Sequence, residues 1–480
     1  MNRITVYNSE NVQEEKFEEA IMTGNTLGWV IVAFVLYLLM MIAIGAFYAK
    51  GNNNSEDYFL GGRKLNGFVA ALSAQASDMS GWLLMGLPGA IYLTGVGGDG
   101  WIAIGLFIGT TLNWLFIATK LRRYTIRANN SVTLPTYFEN RFHDEKKVLM
   151  TVSSITIVVF FLVYCASALS AGGQLFESVF GIDYHVALTI GALVVLVYTF
   201  LGGFTAVCVT DFIQGMLMLV GILAVPLFAY HFLTSGGTTL SAGLEASGAD
   251  SANFLNLMKN GDGSNNIVSV ISGLGWGLGY FGMPHILVRF MAVRDEKEMT
   301  KSKATAISWV ALSLGFAVFI GILGRAYLPE LVNGNNEKVF IEMIKKVFTM
   351  EMRAPFIAGL FLCGILAAIM STADSQLLVS ASSVAEDIFK GLLKKNADDK
   401  TVMNVSRVTV LVVAVLAYII AWNPNNTVMG LVSNAWAGLG AAFGPLVVMS
   451  LYWKRTNFPG AVAGIVTGAL AVIIWDYIPL

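Results

Sequence analysis

Apolar runs long enough to cross a lipid bilayer recur along the whole chain, and no other feature restricts its fold as much. The runs lie near 27–49, 67–94, 101–119, 148–178, 184–203, 205–232, 266–292, 304–328, 354–386, 402–422, 427–453 and 459–478. About 20 apolar residues span the hydrocarbon core as a helix, and backbone polar groups in lipid must bond within their own segment. The sequence therefore predicts an all-α integral membrane protein with about twelve transmembrane helices.

Composition supports a lipid environment. Hydrophobic residues make up 56% of the 480 residues and charged residues only 13%, whereas a soluble domain carries roughly a quarter charged residues. The net charge of -1 gives no sign of a nucleic-acid partner. The polar stretch 1–26 precedes an apolar run longer than a secretory core, so no signal peptide is predicted. The bilayer is the expected partner of most of the surface.

Basic residues predict the orientation of the helices. With the N-terminus outside, about 21 Lys and Arg fall in inner loops and about 7 in outer segments. Arg289 is counted among the inner residues. The positive-inside rule therefore favours an extracellular N-terminus. In the second long outer loop, the amphipathic stretch 338–348 predicts a short surface helix.

Two of the predicted spans contain helix-breaking residues at their centres. The first contains 74–82 followed by Pro88, and the second contains five glycines and Pro284 within 273–284. Glycine and proline weaken a helix by about 1 and 3 kcal/mol. The two spans lie five helices apart, and interrupted helices at corresponding positions point to a transporter site between inverted repeats. Close helix packing at glycine is the alternative.

Polar residues at bilayer depth give candidates for a cation site. Asp78 lies in the first interrupted span, where a carboxylate costs at least about 2.5–3.5 kcal/mol. It either attracts a cation or bonds to backbone N–H groups freed by the break. Ser371 and Thr372 lie within the ninth span. Their hydroxyls either bond to carbonyls one turn earlier or join carbonyls near Ala76 and Met79 around a hard cation, which prefers oxygen ligands.

Further ionisable and aromatic residues lie near these segments. Asp211 and Asp374 are each interpreted as a second ionisable site or a local cap or pair, and Arg63 as an anchor reaching the inner interface. Four aromatic residues predicted near mid-depth either pack or line a pocket for a small ring and an amine. These aromatic residues are Trp82, Tyr164, Trp276 and Tyr280.

Four stretches together resemble a known family. The runs 76–90, 164–167, 276–286 and 370–372 are similar to the proline-transporting branch of the sodium:solute symporter family, and they occur in the family's order. The resemblance implies a LeuT-type core of two inverted five-helix repeats, 67–232 and 266–453. It also implies an extra N-terminal helix at 27–49 and an additional C-terminal helix at 459–480. The family usually has thirteen helices, one more than the runs found before Leu480.

The resemblance also implies ligands and site residues. It implies Na⁺-coupled uptake of L-proline across the inner membrane of a bacterium, for scavenging or osmoprotection. The implied Na⁺ ligands are the carbonyls of Ala76, Met79 and Ala368 and the hydroxyls of Ser371 and Thr372. The implied proline site comprises Ser80, Gly81, Trp82, Tyr164, Trp276 and Tyr280. Asp78 would support sodium binding and Arg63 coupling, while Asp374 would tune ion affinity or admit a second cation. The oligomeric state stays open, with the monomer expected to function.

Other functions remain as alternatives. A symporter for a betaine, choline, a sugar or another amino acid would share the same architecture. An intramembrane hydrolase would need a nucleophile near His285, and no GxSxG or HExxH motif is present. A sodium channel would need a filter-like loop, which the sequence lacks. The protein is therefore expected to be a transporter and not an enzyme.

Overall fold

The computed structural model describes residues 24–49, 55–201, 203–475 and 478, and this part of the chain is almost entirely helical. The N-terminal stretch 1–23 and Lys50 lie outside the described residues, as do the positions between the ranges and at the C-terminal end. The α-helices are α1 Gly24–Ala49, α2 Ser55–Leu60, α3 Gly67–Asp78, α4 Leu87–Thr94, α5 Val96–Leu112, α6 Ala118–Arg127, α7 Leu134–Phe142, α8 Val148–Phe180, α9 Tyr184–Leu201, α10 Phe204–Ser235, α11 Leu240–Ala246, α12 Ser251–Phe254, α13 Ile267–Trp276, α14 Pro284–Ala292, α15 Glu296–Tyr327, α16 Val339–Lys345, α17 Pro355–Ser382, α18 Asp399–Ala421, α19 Val428–Tyr452 and α20 Phe458–Trp475.

Each predicted apolar run forms a helix or a broken pair of helices. Within the described ranges, nine helices are long and apolar enough to span a membrane, and one bent pair makes a tenth span. The two remaining predicted spans are the broken pair α3–α4 and the 18-residue α9, which are shorter as continuous apolar helices. Large apolar side chains such as Phe47 (73% exposed) and Val268 (81% exposed) cover the outside. Such a surface suits a lipid solvent.

The second predicted span is broken as expected. The side chain of Asn66 accepts a hydrogen bond from the backbone N–H of Val69 and begins α3, which ends at Asp78. Met79 leaves the helical conformation at φ -82° and ψ 69°. The chain then resumes as a π-helix over Trp82–Gly86, which continues into α4. The break leaves backbone carbonyls at the end of α3 without helical partners, which makes them available to a ligand.

The seventh predicted span is broken in the same way. After α13 the chain tightens into a 3₁₀ helix over Gly277–Gly282, and Met283 is extended before Pro284 begins α14. The two parts are bent by 47°. Proline at the first helical position supplies the φ that a helix start requires. The sequence prediction of two interrupted helices is confirmed.

The start of the first broken helix and the end of the second are joined by their main chains. The N–H of Leu65 donates to the carbonyl of Ala292 at 3.2 Å, and the N–H of Arg294 donates to the carbonyl of Leu65 at 2.9 Å. Leu65 and Val293 therefore form an isolated parallel β-bridge. This seam, the bridge between 65 and 292–294, lies directly before α3 and directly after α14.

Two details differ from the sequence predictions. The amphipathic stretch 338–348 does form a helix, α16, but every residue of α16 is buried, so the prediction of a surface helix is wrong. Its charges are neutralised within the protein, because Lys345 lies 2.9 Å from Glu342 and 3.0 Å from the carbonyl of Ser178. Arg289 is not an inner-loop residue either, since it lies within α14 and is 1% exposed.

Candidate functional site

An oxygen cluster lies where the break after α3 meets the middle of α17. The hydroxyl of Ser371 donates to the carbonyl of Ala76 at 2.8 Å, and it lies 3.2 Å from the carbonyl of Ala368. Three of the five predicted cation ligands are thus in contact. All three residues are fully buried, so an ion among these oxygens would be shielded from water.

The other two predicted ligands flank this cluster. Thr372 follows Ser371 on α17, and its Oγ1 is buried without a hydrogen-bond partner among the described residues. Met79 stands at the non-helical end of α3. A buried hydroxyl without a partner costs about 1–3 kcal/mol, and an oxygen-binding cation would remove that cost. Hard cations such as Na⁺ take oxygen ligands of this kind.

A second cluster surrounds Asp78, two residues after Ala76. The hydroxyl of Tyr280 donates to Asp78 Oδ2 at 2.6 Å, while Oδ1 is buried without a partner in the described part of the chain. The Asp78 carbonyl accepts from the indole N–H of Trp82 at 2.9 Å and from the hydroxyl of Tyr164 at 3.4 Å. Three of the four predicted aromatic residues therefore converge on one residue of the break.

Ser80 and Gly81 form the turn between these groups. The Ser80 hydroxyl oxygen accepts from the backbone N–H of Trp82 at 3.3 Å. Gly81 is closely packed, since an added Cβ would lie 2.7 Å from the Cβ of Ala171. A side chain at position 81 would therefore push α3 and its extension away from α8.

Trp276, the fourth predicted aromatic residue, lies apart from Asp78. It lines a lateral cavity of about 910 Å³ that is open to the surface of the protein and lies between the α13–Gly282 segment, α19 and α20. Trp436 of α19 links it to the Asp78 cluster. The indole N–H of Trp436 donates to the carbonyl of Trp276 at 2.8 Å, and its ring meets Tyr280 edge to face with centroids 5.1 Å apart. Sequence reasoning missed Trp436, because only the packing of α19 against the broken helix brings it to the site.

A buried ion pair lies next to the oxygen cluster. Arg289 of α14 lies 3.1 Å from Asp211 Oδ2, and Asp211 also accepts from the hydroxyl of Ser73 at 2.7 Å. Arg289 also donates to Ser375 Oγ at 2.5 Å. Asp211 is thus a partner in an ion pair, one of the alternatives left open by the sequence. Arg289 was missed because it lies near the end of an apolar run and resembled a loop residue.

Asp374 is a buried carboxylate on α17. It is fully buried, its Oδ1 accepts from the Ser375 hydroxyl at 3.3 Å, and its Oδ2 has no partner among the described residues. It lies on α17 between Thr372 of the oxygen cluster and Ser375 of the ion-pair network. Sequence reasoning had named it without ranking its role, and the structure leaves one carboxylate oxygen available beside both networks.

Arg63 joins three segments near the start of α3. Its guanidinium donates to the Asn130 side chain at 2.9 Å and to the carbonyls of Ser131 at 2.7 Å and Met291 at 2.8 Å. The side chain is directed into protein and not toward water as an interface anchor would be. Burial lowers the pKa of Arg63 to about 10, so it remains charged at neutral pH.

His285 does not have the surroundings of a hydrolase. Its ring is fully buried and faces the rings of Phe161 and Tyr164 at centroid distances of 5.5 and 6.1 Å. Neither ring nitrogen has a hydrogen-bond partner within the described ranges. A general base must lie within hydrogen-bond reach of its nucleophile, so the hydrolase alternative finds no support here.

Comparison with known proteins gives one consistent result. The sequence profile of the sodium:solute symporter family matches residues 58–468. A sodium/proline symporter of Salmonella typhimurium (strain LT2) is 46% identical over 451 residues, covering 93% of this chain and 87% of the relative. A high-affinity proline transporter of Bacillus subtilis (strain 168) is 46% identical over 437 residues, covering 91% of this chain and 89% of the relative.

Comparison with solved structures concerns the fold. A Na⁺-coupled sialic acid symporter in a substrate-bound outward-open state superposes with a TM-score of 0.76 at 22% identity, covering 94% of this chain and 92% of that one. The expectation of a LeuT-type fold is confirmed.

Proposed function

Because this chain belongs to the sodium:solute symporter family, we propose that it carries L-proline into a bacterial cell together with Na⁺. It is a multi-pass membrane transporter and not an enzyme. The substrate rests on the relatives named for proline, which are 46% identical over more than nine-tenths of the chain. The observation that carries the coupling to Na⁺ is the buried oxygen cluster formed by Ser371 with the carbonyls of Ala76 and Ala368.

Sodium would bind between the broken helix and α17. In the described conformation the Ser371 hydroxyl points its hydrogen at the Ala76 carbonyl. A cation would replace that hydrogen, and the hydroxyl would turn its lone pairs toward the ion. Thr372 Oγ1 and the Met79 carbonyl would complete the ligand set. Binding would hold the break after α3 against α17 and fix the position of Asp78.

Proline would bind beside Asp78, on the side of the three converging aromatic residues. The faces of Trp82, Tyr164 and Tyr280 provide apolar area for a five-membered ring, and the edge of the break provides polar backbone groups. Half-helix ends that point at a site stabilise the charged groups of a zwitterion. Because Asp78 touches Tyr280, Trp82 and Tyr164, sodium binding at the neighbouring residues would shape this pocket directly.

The sodium gradient is sufficient to drive accumulation. One charge moving through 100 mV supplies about 2.3 kcal/mol, and a tenfold concentration gradient adds about 1.4 kcal/mol. Together they support accumulation of roughly several hundredfold for one Na⁺ per proline. Such a ratio suits scavenging and osmoprotection.

Orientation and repeat boundaries belong to the same proposal. The excess of Lys and Arg in one set of loops favours an extracellular N-terminus in the inner membrane, and moving Arg289 out of the inner loops changes the count of about 21 by only one. Residues 67–232 and 266–453 would form the two inverted repeats, and each begins with a broken helix. Alternating access would arise from movement of one repeat relative to the other.

Radiolabelled L-proline uptake into proteoliposomes tests the proposal. Uptake with an inward Na⁺ gradient is compared with uptake in an equal K⁺ gradient, with and without excess unlabelled proline. We expect accumulation only with Na⁺, and competition by proline. Ser371→Ala and Thr372→Ala should each raise the Na⁺ concentration needed for half-maximal uptake. Thr467→Ala is the matched control, because its exposed hydroxyl bonds only within α20. Proline uptake indifferent to Na⁺ and to membrane potential would refute the coupling to Na⁺. Uptake of another solute in place of proline would refute the assignment of proline as the substrate.

A further inference from the structure

Trp436 separates the Asp78 cluster from the lateral cavity. On one side its ring meets the ring of Tyr280, whose hydroxyl donates to Asp78. On the other side the same indole lines the cavity of about 910 Å³, together with Trp276, Leu278 and Gly279 of the seventh span and Trp475 of α20. The residue is 3% exposed. One side chain thus forms the wall between a small aromatic cluster and a much larger space.

The indole is held firmly in that position. Its N–H donates to the carbonyl of Trp276 at 2.8 Å, and its ring stacks on Trp276 with centroids 6.4 Å apart. Gly279 makes room for it, because an added Cβ at this position would lie 2.0 Å from the Trp436 ring nitrogen. A side chain with one hydrogen bond and two ring contacts is a rigid wall, which a flexible apolar residue would not provide.

We propose that Trp436 determines specificity by limiting the size of the ring that the site accepts. The inference rests on the proposed function, because it places the substrate beside Tyr280. With the indole removed, the space beside Tyr280 would join the lateral cavity. A cavity of that volume falls in the range that holds small-molecule ligands. The transporter would then accept cyclic amino acids with larger rings than proline.

Competition during proline uptake measures this effect. Wild type, Trp436→Ala and Trp436→Phe are reconstituted, and Na⁺-driven uptake of labelled L-proline is inhibited with proline, with its six-membered-ring homologue pipecolate, and with a bicyclic octahydroindole-2-carboxylate. Each extra methylene group that a pocket must reject changes selectivity by roughly 10- to 200-fold. In Trp436→Ala we expect bicyclic inhibition relative to proline to increase at least about tenfold. In Trp436→Phe, which keeps a ring in the wall, selectivity should stay near that of the wild type.

Two glycine variants test the wall without removing the indole. Gly279→Ala forces the Trp436 ring away, so it should shift selectivity in the same direction as Trp436→Ala. Gly275→Ala is the control, because Gly275 lines the same cavity but an added Cβ there meets nothing within 4 Å. If Trp436→Ala does not yield folded protein, the comparison of Gly279→Ala with Gly275→Ala tests the proposal in its place.

The possible results separate the two proposals. Absence of proline uptake by the wild type would refute the proposed function, whatever the variants do. Proline uptake by the wild type with unchanged selectivity in both Trp436→Ala and Gly279→Ala would overturn only the role of Trp436. A gain of bicyclic inhibition in either variant, with none in Gly275→Ala, would support it, since misfolding does not create a new inhibitor.

Discussion

Tyr280 donates a hydrogen bond of 2.6 Å to Asp78, and this contact joins the two broken helices at the centre of the protein. Asp78 is the last residue of α3, and Tyr280 lies in the 3₁₀ turn after α13. The bond therefore crosses from the first proposed repeat to the second. A ligand that alters either residue acts on both breaks at once.

Tyr280→Phe should lower the apparent Na⁺ affinity. The substitution keeps the ring but leaves both carboxylate oxygens of Asp78 without a partner. A hydrogen bond to a charged group contributes about 1.5–3 kcal/mol, so at least about a tenfold increase in half-saturating Na⁺ is expected. The measurement is proline uptake against external Na⁺. Tyr452→Phe, which loses one bond to the Phe116 carbonyl away from the site, should behave like the wild type; equal Na⁺ curves for both variants would contradict the prediction.

Asp211→Asn should destabilise the folded protein. The substitution keeps the shape of the side chain but leaves Arg289 as an unpaired buried charge. Breaking a buried ion pair costs about 3–5 kcal/mol, so the thermal unfolding midpoint in detergent should fall clearly. The control is Glu296→Gln, which removes the partner of Arg123 from a pair with both side chains at least half exposed. Exposed pairs contribute about 0–1 kcal/mol, and a larger shift in the control than in Asp211→Asn would rule out the argument.

Arg63→Lys should weaken the link between the segment before α3, the loop after α6 and α14, although it keeps the charge. A lysine has one nitrogen and cannot reach Asn130, Ser131 and Met291 at once, as the guanidinium does. We expect faster proline efflux from loaded proteoliposomes and lower steady-state accumulation. With its pKa lowered to about 10 by burial, Arg63 is protonated throughout the neutral range, so the wild-type efflux rate should not change between about pH 6 and 8 through this residue.

The matched substitution for that prediction is Arg123→Lys. Arg123 forms a bidentate pair with Glu296 at the exposed surface, with both contacts at 2.7 Å. Unlike Arg63, Arg123 does not connect the two broken helices, because its partner Glu296 lies on α15. Its efflux should equal that of the wild type, and an equal increase in both variants would point to a general effect of surface charge.

Glu337→Gln should destabilise the start of α19. Both carboxylate oxygens of Glu337 accept N–H groups at the start of α19, from Val428 and Met429 at 2.9 Å each. Glutamine keeps one acceptor and loses the charge that favours a helix N-terminus. A loss of about 1–2 kcal/mol is expected, visible as a lower unfolding midpoint. Glu330→Gln, an exposed position in the same connection between α15 and α16, should leave the midpoint unchanged, and an unchanged midpoint in Glu337→Gln would refute the capping role.

Local chemistry made the broken helices predictable. The polar residues of 74–82 and the glycines of 273–284 cannot sustain a regular helix in lipid, and the structure breaks at Met79 and at Gly277. Reasoning from the residues offered the Ser371 hydroxyl with carbonyls near Ala76 as one of two alternatives, and the resemblance to the family implied that pairing. The convergence of Tyr280 on Asp78 depends on how two distant breaks face each other, 202 residues apart.

Other features could not be predicted because they depend on packing between distant segments. Trp436 belongs to an ordinary apolar run, and its contacts with Tyr280, Trp276 and Gly279 appear only once the structure packs α19 against the broken helix. The buried helix α16 was mistaken for a surface helix because Glu342 and Lys345 look exposed in sequence, whereas they neutralise each other. Arg289 was assigned to a loop because charge alone does not reveal a buried partner such as Asp211.

The seam between Leu65 and residues 292–294 consists of peptide groups, so nearly every amino acid can form it. Alanine scanning of these positions would leave both bonds in place and would wrongly suggest that the seam is unimportant. Only a change to the backbone itself, such as proline at position 65 or an ester in place of the peptide N–H, removes a bond. Sequence variation between relatives would likewise be tolerated here, so this backbone contact would leave almost no trace in evolution.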